Sequence, residues 1–140
     1  MVFRVKPLRG RRIVSYHRLN EILSKNSERE KILITRRAPF ELKGKNVYQI
    51  WLTKVPHPNA VSPSQLHVIE QIVWDRLNEK RSDVVLDAIE YLMIENGVEP
   101  TLRFVSRLRD MTIMKKSDFY VTVSDGIDNR VLNILRRIVE

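Results

Sequence analysis

Val84, Val85 and Leu86 form an uninterrupted apolar run between Asp83 and Asp87, and the chain on either side has apolar residues at helical spacing. A run this short and apolar on every side needs cover above and below it, as a central strand of a parallel sheet has. Three further runs read the same way. They are Ile32 to Thr35 between Lys31 and Arg36, Val47 to Leu52 after a polar turn with Gly44, and Phe119 to Val123. Short runs alternating with amphipathic stretches point to a layered α/β fold rather than a bundle or a sandwich. The expectation is a single three-layer domain, with a mostly parallel sheet of about four to five strands flanked by helices.

The helices are marked by periodicity and punctuation. Ser15 to Lys25 reads as a first helix with Leu19, Ile22 and Leu23 buried and Ser15 as cap. The segment VPHPNAVSP, residues 55–63, reads as a loop because its prolines withhold backbone donors. Ser62, Pro63 and Gln65 form a capping-box pattern opening a helix to about Glu79, with Leu66, Ile69, Val73 and Leu77 on one face. A helical turn from Tyr91 to Ile94 stops at Asn96 and Gly97, a pair suited to a left-handed cap. Pro100 opens the next helix, with Leu102, Val105, Leu108 and Met111 or Thr112 inward. Asp128 caps the last, with Val131, Leu135 and Ile138 inward. The expected order is α β β α β α β α. Residues 1–14 form a basic arm or an extra strand, and residues 15–140 form the domain.

Composition removes several classes of function. A chain of 140 residues buries a continuous core without staples. Cysteine is absent, which excludes disulfides, thiol catalysis and thiolate metal sites. No stretch approaches the ~20 apolar residues of a membrane span and no leader follows the basic N-terminus, so the reading is soluble and cytoplasmic. The 30% of charged residues is compatible with a thermophile. The net charge of +8 is unevenly placed: residues 1–60 carry 14 Lys or Arg against 4 acids, and the rest carry 11 against 13. Arg4, Lys6, Arg9, Arg11 and Arg12 meet no acid within the first twelve residues. They are the candidates for binding a nucleic-acid backbone, although no aromatic-interleaved motif accompanies them.

The candidate ligand residues are Asp87, Glu90 and Arg36. Asp87 ends an apolar run and Glu90 follows three positions later, so both reach the crevice at a strand's carboxyl end, where α/β proteins bind ligands. The alternative is that Asp87 caps the next helix while Glu90 favours its dipole. Arg36 and Arg37 could meet an anion there or form a solvated pair balancing Glu41. None of the glycines, Gly10, Gly44, Gly97 and Gly126, lies in a phosphate-loop pattern. His17, His57 and His67 lack metal-ligand spacing, and no serine sits in a nucleophile elbow. Trp51, Trp74, Tyr91 and Phe104 read as packing residues.

With these residues in view, the chain resembles the archaeal family known as domain of unknown function 835, from about Tyr16 to Glu140. The points of likeness are Ile34, Arg36 and Pro39, the pair Trp51 and Leu52, and Ser62 with Leu66. The densest block runs through Leu86, Asp87, Glu90, Tyr91, Leu92, Asn96, Gly97, Leu102, Phe104, Leu108, Arg109 and Asp110. Ala88 stands where that family usually has Gly, and Val98 where it usually has Phe. The resemblance implies a relative of KaiC and RecA cores without a Walker A loop, with Asp87 in the place of a Walker B acid. It also implies a protein-binding role in archaeal signalling, beside sensor or kinase domains in other members.

The resulting expectation is a regulatory interaction domain that is not an enzyme, holds no cofactor or metal, and binds a protein partner. A homodimer is compatible with an unpaired sheet edge. Two alternatives stand beside it: nucleic-acid binding through the arm, and residual nucleotide binding without hydrolysis at Asp87, Glu90 and Arg36.

Overall fold

The computed structural model describes residues 12–39 and 46–140. In chain order its elements are β1 (Ile13–Ser15), a 3-10 turn (Tyr16–Arg18), α1 (Leu19–Ser24), β2 (Glu30–Thr35), β3 (Val47–Leu52), β4 (Ala60–Val61) and α2 (Leu66–Glu79). There follow β5 (Ser82–Asp87), α3 (Ile89–Asn96), α4 (Val98–Met114), β6 (Phe119–Val123) and α5 (Asn129–Val139). The six strands lie in the order β1-β6-β5-β2-β3-β4, and every neighbouring pair is parallel. The α/β class is as expected; the strand count is higher. The two additional strands, β1 and β4, are three and two residues long and lie at the edges, too short for periodicity to mark.

Alternation along the strands gives the sheet two unlike faces. Ile32, Ile34, Ile50, Leu52, Val84, Leu86 and Val121 join one core with side chains from α2, α3, α4 and α5. Most are fully buried, and each such side chain contributes about 1.5–3 kcal/mol relative to exposure. The opposite face carries Leu33, Val85 and Tyr120 at its centre and Val14 of the edge strand β1, covered by Leu19, Ile22 and Leu23 of α1. At six residues α1 covers only the middle of that face. The positions above and below it on the same parity are Lys31, Asp83, Thr35, Asp87 and Thr122, which are polar.

Four boundaries differ from expectation. The helix expected from Ser15 to Lys25 is preceded by a strand, because Ile13 to Ser15 pair with β6, and Ser15 instead caps the 3-10 turn through the His17 amide. Ser62 does not cap α2. Its hydroxyl meets that of Ser64 at 3.1 Å, its carbonyl accepts from the Gln65 amide, and the helix begins at Leu66 with no side-chain cap. Pro63 is buried here and its carbonyl accepts from Asn96 Nδ2 at 2.9 Å, so this loop is tied to α3. The turn expected over Tyr91 to Ile94 is a full helix, and α4 starts at Val98, with Pro100 in its first turn, where no backbone donor is needed. Gly97 joins the two helices at φ 92°, ψ 163°. This conformation is extended rather than left-handed helical and is essentially confined to glycine.

Candidate ligand cleft at the carboxyl end of the sheet

β2 and β5 are neighbours, yet the chain leaves β2 for β3 on one side and leaves β5, through α3 and α4, for β6 on the other. Loops that diverge in this way open a crevice beyond the carboxyl ends of the strands. A cleft of about 330 Å³ lies there, lined in part by Thr35, Arg36, Arg37, Asp87, Glu90 and Tyr91. The three candidates read from the sequence therefore meet in one place.

Asp87 is the cleft's buried anion. Register sets it beside Thr35 of β2, and it lies one residue past the Leu86–Val121 pairing, which brings Thr122 of β6 to its other side. Thr35 donates to Oδ2 at 2.7 Å and Thr122 to Oδ1 at 2.6 Å, while Arg37 Nε lies 3.6 Å from Oδ2. Only 6% of the Asp87 side chain is exposed. Burial raises its pKa above the ordinary carboxylate value, and the two threonine hydroxyls and the Arg37 charge oppose that rise without cancelling it. The Thr35 hydroxyl also accepts from the Arg37 amide at 3.0 Å, so one side chain fixes both the carboxylate and the start of the loop.

Around it the other groups are held as firmly. Glu90, in the first turn of α3, accepts from the Ser124 amide at 2.7 Å and so ties the exit of β6 to the helix. Arg36 Nη1 donates to the Leu52 carbonyl at 2.7 Å, and its guanidinium lies 4.3 Å from the centre of the Tyr91 ring. Gln49 donates to the Arg37 carbonyl and Trp51 Nε1 to the Arg36 carbonyl, so β3 braces the backbone of both arginines. The arrangement is a half-buried cleft with a carboxylate on its floor and a guanidinium over an aromatic ring at its rim. It suits a planar or anionic group better than it suits a nucleophile or a proton relay.

The contacts also bear on the alternative readings: Glu90 does lie in the first turn of α3, where a helix dipole favours it. Asp87 does not cap α3: the capping position is Ala88, without a side-chain bond. Arg37 faces Asp87, while Glu41 lies outside the described residues, as do Arg4, Lys6, Arg9 and Arg11. Arg12 sits at the other end of the sheet, 3.3 Å from Asp118 and over the Tyr120 ring, with its amide on Glu140 Oε2. It is part of the folded domain rather than of a free arm. Phe104 is fully buried, as packing requires. Among the described residues no group of three or more His, Cys, Asp or Glu could hold a metal ion.

The residues the sequence reading passed over lie at both ends of the α1 face. Thr35 and Thr122 are legible only as partners of Asp87 once the register is known. At the amino end, Lys31 is fully buried. Its ammonium donates to the carbonyls of Asn26 and Arg29 and lies 3.3 Å from Asp83 Oδ2, while Arg29 Nη1 meets Asp83 Oδ1 at 2.8 Å. Asp83 also accepts from the Asp118 amide. The only signal in the sequence was the alternation Asp83, Val85, Asp87, which places two carboxylates on one face with a valine between them.

A family model described as "Protein of unknown function (DUF835)" matches residues 14–139, which takes in both ends of that face and every helix. The chain belongs to this family. No curated protein matches it. In this DUF835 protein no helix among the described residues is long and apolar enough to cross a membrane.

Proposed function

We propose that this DUF835 protein is a regulatory interaction domain, built on a fold derived from nucleotide-binding proteins, that works by docking to another protein in the cytoplasm and not by turning over a substrate. One observation carries the reading. Both oxygens of Asp87, the carboxylate best placed for metal or water chemistry, are engaged by Thr35, Thr122 and Arg37 from the protein itself. A carboxylate with these partners braces the sheet, and drawing it onto a metal or a water would strand two buried hydroxyls. The purified protein should hydrolyse neither ATP nor GTP in the presence of Mg²⁺. Turnover that Asp87→Ala abolishes would overturn the proposal.

A second reading rests on the Arg36–Tyr91 stack at the cleft rim and on Arg37 beside it. There the cleft holds a nucleotide or another planar anion without hydrolysing it. Calorimetry with ATP and Mg²⁺ would then show saturable heat that Arg36→Ala removes, and a flat titration would dismiss it.

A further inference from the structure

The helical face of the molecule carries a groove that the core does not close. Between α4 and α5 a cavity of about 460 Å³ is lined by Val98, Leu102, Ser106, Ile134 and Ile138, with Glu99 and Arg103 at its edge. Val98 and Ile134 are 45% and 47% exposed and line the same cavity, so they form a patch rather than scattered single residues. On α4 the residues Val98, Leu102 and Ser106 recur every fourth position. On α5 Ile134 and Ile138 do the same, so the floor is two rows that are apolar except at Ser106. From Val98 to Ser106 α4 rises about 12 Å at 1.5 Å per residue, room for roughly two turns of a third helix.

The charges around the groove are unequal. On α4 Glu99 and Arg103 neutralise each other at 2.7 Å. On α5 Arg130 and Arg137 stand one turn to either side of Ile134. Both are exposed, and among the described residues neither has an ion pair. An apolar floor with an unbalanced basic rim complements a helix that has an apolar seam and acidic flanks.

We infer that the α4/α5 groove is the docking site for an acidic amphipathic helix of a partner protein. The inference rests on the interaction reading above and gives it a place and a chemistry. The probe is a synthetic peptide of about sixteen residues with leucines at helical spacing and glutamates beside them, compared with the same peptide carrying lysines for the glutamates. By fluorescence anisotropy at low salt the glutamate peptide should bind about tenfold or more tightly than the lysine peptide, and added salt should weaken it.

Ile134→Asp should cost about tenfold or more in that affinity, and Arg130→Glu with Arg137→Glu should reverse the peptide preference. Circular dichroism should stay unchanged for both, since these positions are exposed. Equal affinity for the two peptides, or binding indifferent to Ile134→Asp, would overturn the groove while leaving the interaction reading intact. So would a dimer in sedimentation that Ile134→Asp dissociates, since the occupant would then be a second copy of the chain. Nucleotide turnover through Asp87 would remove the interaction reading without altering the peptide result.

Discussion

One hydroxyl, that of Thr35, serves two partners at the cleft floor. It donates to Asp87 and accepts from the Arg37 amide, and the residue is fully buried. Thr35→Val keeps the shape and removes both bonds, so it should lower unfolding free energy by about 1–3 kcal/mol and push the Asp87 pKa further up. Denaturant unfolding and carboxyl NMR titration would measure the two effects. Asp87 itself gives stability a pH dependence whose sign follows from its burial. Its folded pKa lies above the ordinary 3.8, so between those values the folded state binds the extra proton. Stability from this group is therefore greatest in acid and falls as pH rises through the raised pKa. Asp87→Asn should flatten that part of the curve in urea unfolding measured from about pH 4 upward. An unaltered slope would mean that another group sets it.

At the level of elements, the joints hold the unusual residues. Gly97 links α3 to α4 at a positive φ, and an added Cβ there would meet only Pro100 Cδ at 3.6 Å, an ordinary contact. The cost of Gly97→Ala is thus conformational rather than steric, about 1–3 kcal/mol, and should appear as a lower denaturation midpoint with the m-value unchanged. The turn between α1 and β2 is held differently, by the Lys31 ammonium on the carbonyls of Asn26 and Arg29 and near Asp83. Lys31→Met should destabilise by roughly 3 kcal/mol, the low end for breaking a buried pair, because Arg29 still faces Asp83. A double-mutant cycle with Asp83→Asn should show the two losses to be far from additive.

Over the whole molecule, charge and topology divide the labour. The basic excess of residues 1–60 lies partly outside the described residues, but Arg12, Arg29, Lys31, Arg36 and Arg37 are all engaged inside the domain. Sequence charge alone overstated how much of it is free for a partner. If residues 1–11 bind nucleic acid, affinity should fall steeply with salt and deletion of that segment should abolish it. Filter binding at two salt concentrations decides this. Both edges of the sheet are short strands, β1 and β4, which leaves little backbone for edge-to-edge pairing.

The sequence by itself determined the fold class, the four central strands and the places of Asp87 and Arg36 at the ends of two strands, with Glu90 entering the helix that follows. Buried strands and amphipathic helices leave periodic signatures in a single chain, and Asp128 sits where its side chain must cap α5. Only the tertiary structure decided what those residues touch. Thr35 and Asp87 are 52 positions apart in sequence, and Thr122 lies another 35 beyond Asp87, so their meeting depends on strand order and register. The same holds for Lys31 with Asp83, and for the α4/α5 groove, whose two largely apolar rows look like ordinary core until the packing leaves them uncovered. Local pattern records which side chains seek burial; the arrangement of strands and helices determines which of them find it and which polar groups are carried in with them.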